Sequence, residues 1–141
     1  MIRKSFFRAG LLVVLLPFGQ VQAQEGQCMD HYSKEGNILK GRAFKSWAEY
    51  PGVSVDVAFR KLQQEVVKQG FTVISADRKA GTISADQGVS GSGRRVPLNV
   101  LVSRNGGGVR VEVSFTPAGG LFVDRKGLKK GFCDILEAPV K

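Results

Sequence analysis

Two stretches in the second half of the chain alternate between apolar and polar residues. Residues 96–103 and 109–115 carry an apolar side chain at every second position: Val96, Leu98, Val100 and Val102, then Val109, Val111, Val113 and Phe115. Because successive side chains of a β-strand point to opposite faces, this pattern predicts two strands with one buried and one wet side. The intervening Asn-Gly-Gly-Gly of residues 105–108 favours a hairpin. Such strands are typical of an antiparallel sheet, whose apolar face needs a second layer.

An amphipathic segment earlier in the chain is suited to form that layer. Within residues 55–68, apolar residues recur at steps of four, three and four, which places them on one side of a helix: Val55, Phe59, Leu62 and Val66. Ser54 or Asp56 is suited to the N-cap, and Gly70 to the left-handed position after the last turn. A second helical spacing predicts a helix over about residues 127–137.

Residues 40–50, 71–76 and 82–86 also have strand chemistry, so the chain reads strand, helix, four strands, helix. We therefore expect an α+β fold: a single antiparallel sheet of about five strands, with both helices packed on one face. Trp47 and Tyr50, in the first of these strands, either pack in the core or form an exposed binding platform.

This element order resembles the helix-grip, or TATA-binding-protein-like, β-α-β4-α module over about residues 40–137. The residues that carry the resemblance are Phe59-x-x-Leu62, Gly70-Phe71-x-Val73 and Gly81-x-Ile83-x-Ala85. The chain is also similar to small envelope proteins of this shape, among them the lipoprotein accessory of the outer-membrane barrel-assembly machine. The resemblance implies a fold and no shared role, because the lipid-attachment cysteine of the lipoprotein members is missing here.

The first residues have the order of a secretory signal peptide. Basic Arg3, Lys4 and Arg8 precede an apolar run over residues 9–18, and Ala23 closes a stretch suited to cleavage. The run is too short for a membrane span, which needs about 20 residues, so we expect no transmembrane anchor after cleavage. We expect residues 1–23 to be removed, 24–39 to form an irregular lead-in and 40–141 a single domain in the periplasm or outside the cell.

Export gives the two cysteines, Cys28 and Cys133, an oxidising environment in which thiols pair. A Cys28–Cys133 disulfide would join the two ends of the mature fold. The alternative is a catalytic thiol working with His31, the single histidine of the chain.

Positive charge is the main guide to a partner. The chain has a formal net charge of +9, and loss of residues 1–23 leaves 18 basic and 12 acidic residues, a net of +6. This charge favours an envelope protein or an anionic envelope component, whereas nucleic acid is not expected for an exported chain without a nucleic-acid motif. An ordinary solubilising surface is the alternative.

Two basic groups are the candidate binding residues. Arg94 and Arg95 follow a Gly-rich loop at residues 88–93, which suits an anion or is a plain flexible connection. Lys126, Lys129 and Lys130 share one side of the second predicted helix, where they meet an acidic partner or are simply solvated.

Catalytic chemistry finds little support in the sequence. The Gly-rich loop lacks the Gly-x-Ser-x-Gly pattern of a serine nucleophile, and His31 has no companions at metal-ligand spacing. Asp77 and Asp86 flank a predicted hairpin, either opposite each other like paired catalytic acids or as turn residues. We expect no catalysis, no metal and no cofactor.

The sequence thus favours an exported, non-enzymatic binding or accessory module of a bacterial-type cell envelope. The alternative function is an inhibitor of an exported hydrolase, which would insert loop 88–95 into the cleft of its target.

Overall fold

The computed structural model describes residues 25–37, 39–88, 91, 93–117, 119–120 and 124–141. The predicted signal peptide, residues 1–23, lies outside this part of the chain. The helices and strands of the described residues are α1 (Glu25–Asp30), β1 (Ser33–Asn37), β2 (Gly41–Pro51), α2 (Val55–Lys68), β3 (Thr72–Asp77), β4 (Thr82–Gly88), β5 (Arg95–Asn105), β6 (Gly108–Phe115) and α3 (Arg125–Glu137), followed by a 3-10 turn (Ala138–Val140).

Within the described residues, the strands form one antiparallel sheet in the order β1-β2-β6-β5-β4-β3. The two alternating segments become β5 and β6, with Val100 opposite Val113 and the hairpin closing at Asn105 and Gly108. Their apolar residues are buried on one face, where α2 and α3 pack against β2, β5 and β6. The predicted α+β fold, with both helices on one face, is confirmed.

Helix α2 shows how local chemistry sets the element boundaries. Of the two N-cap candidates, Ser54 is the cap, and its hydroxyl accepts a hydrogen bond from the first turn. At the other end, Gly70 has a φ of +87°. Phe71 N donates to Val66 O at 3.2 Å and Gly70 N to Val67 O at 3.0 Å, which is the Schellman pattern. This closure turns the chain from α2 directly into β3.

The disulfide between Cys28 and Cys133 is present, as the sequence predicts. It joins α1 to α3, with Cα atoms 5.4 Å apart and a sequence separation of 105. The Cys28 side chain is buried in the core between the helices and the sheet. Because both sulfur atoms are in the bond, the alternative of a free catalytic thiol beside His31 is wrong.

The segment 24–39 differs from the expected irregular lead-in, because its described residues contain α1 and β1. Strand β1 pairs with the first half of β2, from Ser33 opposite Lys45 to Asn37 opposite Gly41. All five of its residues are exposed, so it has no buried side from which a period could be read. Its backbone pairing with β2, and the anchoring of α1 by Cys28, produce regular structure that apolar patterning does not reveal. This strand raises the sheet from about five strands to six in the described part of the chain.

Candidate functional site

The face of the sheet opposite α2 and α3 has no helix on it in the described part of the chain. A shallow groove of about 540 Å³ crosses this open face. Its lining comes from five of the strands and from a residue two positions before β1: His31, Ser33, Lys45, Ser46, Trp47, Thr82, Ile83, Ser84, Asn99, Val100, Leu101, Glu112, Val113 and Ser114. This face of the sheet is open because the buried apolar side chains of the strands lie on the other face, against the helices.

Trp47 stands at one side of the groove with its ring held between two cationic or ionisable side chains. The His31 ring stacks on it with centroids 3.3 Å apart and an interplanar angle of 10°. The Arg110 guanidinium carbon lies 3.8 Å from the same ring centroid, so it must occupy the other face of the indole. Tyr50, by contrast, is a core residue with 2% exposure. Of the two aromatic residues considered for a platform, only Trp47 reaches the open face.

His31 is fixed by the incomplete edge of β2. Strand β1 covers only Gly41 to Lys45, which leaves backbone groups further along β2 without a strand partner in the described structure. The His31 Nδ1–H donates to Trp47 O at 3.0 Å. The side-chain amide of Gln27 accepts a hydrogen bond from Glu49 N at 2.8 Å and donates one to Glu49 O at 3.3 Å. His31 is therefore half-buried, and its ring is hydrogen-bonded to this edge of β2.

Arg110 is fixed by two carboxylates. Its Nε donates to Glu112 at 2.9 Å, and Nη1 lies 3.4 Å from Glu49. These ion pairs hold the Arg110 guanidinium against Trp47, so that the indole is orientated from both sides. Because one guanidinium faces two carboxylates, this group of side chains keeps one formal negative charge.

The floor of the groove is small, polar and uncharged. Thr82, Ser84, Asn99 and Ser114 bring three hydroxyl groups and an amide to the surface, and Leu101 adds an apolar side chain with 39% exposure. The Ser84 hydroxyl donates to Asn99 Oδ1 at 3.1 Å, which turns the Asn99 amide nitrogen, with its two N–H donors, towards other partners. A ligand that matches this floor has hydroxyl or amide groups and no charge.

The predicted anion site at the Gly-rich loop has a different geometry. Residues 89, 90 and 92 lie outside the described structure. The Arg95 guanidinium forms a two-pronged ion pair with Asp86 across β4 and β5. This hydrogen-bonded pair holds the pKa of Asp86 below its usual range. Arg95 is therefore paired with a carboxylate of the neighbouring strand. The preceding residue, Arg94, is exposed.

The same hairpin corrects the interpretation of Asp77 and Asp86 as an opposed pair. Asp77 lies opposite Thr82 and Asp86 opposite Thr72, so the two carboxylates are at opposite ends of the β3–β4 pairing. Asp77 accepts a hydrogen bond from Ala80 N at 2.9 Å, which is a turn-forming role.

The three predicted lysines of α3 have different surroundings. Lys130 pairs with Asp134 at 2.6 Å, and this hydrogen bond lowers the pKa of Asp134. Lys129 Nζ lies 4.9 Å from the centroid of the Tyr32 ring. Lys126 is exposed in the first turn of the helix. Lys129 therefore lies over the Tyr32 ring, and Lys130 forms an ion pair within its own helix.

Within the described ranges, no group of three histidine, cysteine or carboxylate side chains is arranged to hold a metal ion. In the same residues, no helix has the length and apolar character needed to cross a bilayer.

Together these features define a small α+β protein with a helix-covered face, an open grooved face and a disulfide between its first and last described α-helices. No family model and no curated protein matches the chain. Its fold is similar to the crystal structure of CalU16 from Micromonospora echinospora, with a TM-score of 0.53 and 8% sequence identity, covering 77% of this chain and 80% of that one. At this level of identity the likeness concerns the fold alone.

Proposed function

We propose that this protein is an exported, non-enzymatic binding module of a bacterial-type cell envelope, and that its groove binds an uncharged glycan strand. The signal-like order of residues 1–23 and the Cys28–Cys133 disulfide support export. The proposal of binding without catalysis follows from the groove, where the described side chains offer hydrogen bonds and an aromatic edge.

The observation that carries this proposal is the neutral floor beside an orientated tryptophan. A sheet face that only needs to stay hydrated carries lysine and glutamate at many positions, because these side chains are readily solvated. Here the central strands present Thr82, Ser84, Asn99 and Ser114, while the one cation against the Trp47 ring, Arg110, is paired with Glu49 and Glu112. Hydroxyl and amide groups of a sugar chain have partners on this floor, and the acetyl methyl of an amino sugar has Leu101.

The experiment uses chitohexaose as the probe, with backbone amide shifts of the ¹⁵N-labelled protein as the readout. Binding in the groove shifts the amides of β4, β5 and β6 around Ser84, Asn99 and Ser114 and leaves α2 unchanged. If a saturating concentration of chitohexaose leaves the amide shifts of these strands unchanged, the proposed site is wrong.

A matched pair of variants sharpens the test. Ser84 lines the groove, whereas Gln64 is exposed on α2, on the other side of the sheet. We expect Ser84→Arg to weaken chitohexaose binding at least tenfold, since the long charged side chain fills the groove. Gln64→Arg, with the same change of charge on the helix-covered side, should stay within twofold of the wild type.

The second candidate function is inhibition of an exported hydrolase through loop 88–95. The specific observation in its favour is the Asp86–Arg95 ion pair, which ties together the two strands from which this loop leaves the sheet. Replacing residues 89–93 with a two-residue glycine linker should then abolish inhibition of a sensitive hydrolase while leaving chitohexaose binding intact. Unchanged inhibition by that variant would exclude this function.

A further inference from the structure

One end of the molecule carries a group of cations that form no ion pair with an acidic side chain of the described residues. We call it the basic end: Lys34, Lys40, Arg42, Arg125 and Lys129. None of these five forms an ion pair within the described residues, whereas Lys45, Arg78, Arg95 and Arg110 do. Asp124, the acidic residue that precedes α3, is occupied in capping that helix, accepting backbone hydrogen bonds of 3.1 Å.

The fold brings these cations together around Tyr32. The Tyr32 ring lies 6.3 Å from that of Phe44, and Lys129 Nζ lies 4.9 Å from its centroid. Arg125 is one helical turn before Lys129 and close enough to Tyr32 to counteract the rise in its pKa that burial causes. Arg42 is two residues before Phe44 on the same face of β2, about 7 Å along the strand. Lys34 is directly opposite Phe44 on β1.

Arg42 has an unmet hydrogen-bonding group. Its Nε is buried and has no hydrogen-bond partner in the described structure. A buried donor without an acceptor is costly, and an anionic oxygen is its strongest partner. The guanidinium of Arg42 is therefore ready to receive an anion at the point where the surrounding charges also attract one.

Exposed apolar side chains accompany these charges. Leu39, in the β1–β2 turn next to Lys40, is 92% exposed. Met29, which contacts Cys133 in α3, is 50% exposed. A site for free phosphate would need only the cations and no exposed apolar side chain beside them. A large apolar side chain projecting beside lysine and arginine suits the headgroup region of an anionic bilayer, where apolar burial and attraction to lipid phosphates act together.

We propose that the basic end docks the protein on an anionic phospholipid surface. Arg42 and Lys129 bind lipid phosphates, and Leu39 enters the headgroup layer. This inference does not depend on the groove, which lies on the other face of the sheet.

Flotation with vesicles tests the docking. The protein is recovered from the envelope of the expressing cell, and its mass is recorded so that all variants are compared with the same N-terminus. We expect it to float with vesicles of equal phosphatidylglycerol and phosphatidylcholine and to stay behind with phosphatidylcholine alone. Raising the salt concentration should weaken the interaction, because exposed charges are screened.

Two charge-matched double variants separate a specific surface from diffuse attraction. Arg42→Gln with Lys129→Gln should lower partitioning at least tenfold, since each cation near an anionic surface contributes about 1 kcal/mol. Arg60→Gln with Lys79→Gln removes the same charge from exposed positions on α2 and the β3–β4 turn, and should stay within twofold. Equal losses in the two double variants would overturn the proposal, as would flotation that does not require phosphatidylglycerol.

Leu39→Ser distinguishes a lipid surface from free phosphate. We expect a several-fold loss of partitioning with no change in net charge. If Leu39→Ser partitions like the wild type while inorganic phosphate binds and displaces the protein from vesicles, the basic end is a phosphate site and the membrane proposal is wrong. Thermal unfolding of each variant establishes that it is folded, and chitohexaose binding by the Arg42–Lys129 double variant reports separately on the groove.

Discussion

Tyr50 connects β2 to α3 through a single buried hydrogen bond. Its hydroxyl donates to Leu136 O at 2.5 Å, and the side chain is 2% exposed. Burial, followed by the nearby carboxylate of Glu137, raises the pKa of Tyr50 above its usual value. The sequence placed Tyr50 in a strand and left its role open, because whether an aromatic side chain of a strand is buried depends on which face the helices cover.

Tyr50→Phe should reduce the free energy of unfolding by about 1–3 kcal/mol, because a buried carbonyl loses its donor. The raised folded-state pKa means that this group's stabilisation is complete below about pH 10, the pKa of an unfolded tyrosine, and is lost as the pH rises beyond it. The variant should therefore lose less stability than the wild type above pH 10. Denaturant unfolding at pH 8 and pH 11 measures both effects, with Tyr32→Phe as the partly exposed control.

The Asp86–Arg95 pair predicts an acid-range titration. A folded-state pKa below the unfolded value means that the pair's contribution is present above about pH 4 and is lost as the pH falls through the lowered pKa. An NMR titration of the Asp86 carboxyl should give a pKa below that of an ordinary aspartate, and Arg95→Gln should return it upward. Lys79→Gln, at the other end of the hairpin, should leave it unchanged; an unshifted titration in Arg95→Gln would contradict the pairing.

At the scale of elements, the β3–β4 turn depends on close contact with β5. Gly81 has a φ of +73°, and its carbonyl accepts a hydrogen bond from Val102 N at 2.8 Å. A Cβ at this position would collide with the Val102 carbonyl oxygen. The turn therefore needs glycine both for its backbone conformation and for the approach of the neighbouring strand.

Gly81→Ala should lower stability by roughly 2–4 kcal/mol, which combines the cost of the left-handed conformation with that of the displaced strand. Gly52→Ala is the matched control, since Gly52 has a similar φ of +77° but open space where the Cβ would lie. It should cost only about 1–2 kcal/mol. Similar losses in the two variants, measured by urea unfolding, would show that contact with β5 is unimportant.

Elements with a buried side were predictable from the sequence, and those without one were not. The alternation of apolar and polar residues predicted β5 and β6. The apolar stripe, with Ser54 before it and Gly70 after it, predicted α2. Strand β1 is exposed at every residue, so only its backbone pairing with β2 defines it. Helix α1 is too short to show a helical period, and its position depends on the disulfide and on the Gln27 contact with β2.

At the scale of the whole molecule, the disulfide closes a loop that contains the entire described sheet. In the chain-entropy model, a loop of this length restricts the unfolded chain by about 4–5 kcal/mol. We expect Cys28→Ala with Cys133→Ala to lower the unfolding free energy by roughly 3–5 kcal/mol and to leave the sheet formed at low temperature. Denaturant unfolding of this double variant and of the oxidised protein measures the difference; equal stabilities would contradict a role for the bond in holding the fold.

The groove is a property of the assembled sheet, which explains why the sequence did not predict it. Thr82, Ser84, Asn99 and Ser114 are the polar members of alternating segments, and polar positions of this kind occur on any hydrated sheet face. Trp47 meets His31 and Arg110 only through the β1–β2 and β2–β6 neighbours of the sheet. The predicted basic residues were identified from local density of charge, which does not reveal that Arg95 and Lys130 have acidic partners.

The separation of 105 residues between the bonded cysteines also sets an order of events during synthesis. At a translation speed of about 5–20 residues per second, the first thiol waits roughly 5–20 s for its partner to leave the ribosome. The covalent bond therefore forms only after all the strands of the described sheet have been synthesised. With two cysteines in the sequence, scrambled pairing within one chain is impossible. Incorrect disulfide pairing must then link separate molecules, and it would be visible as covalent dimers on a non-reducing gel.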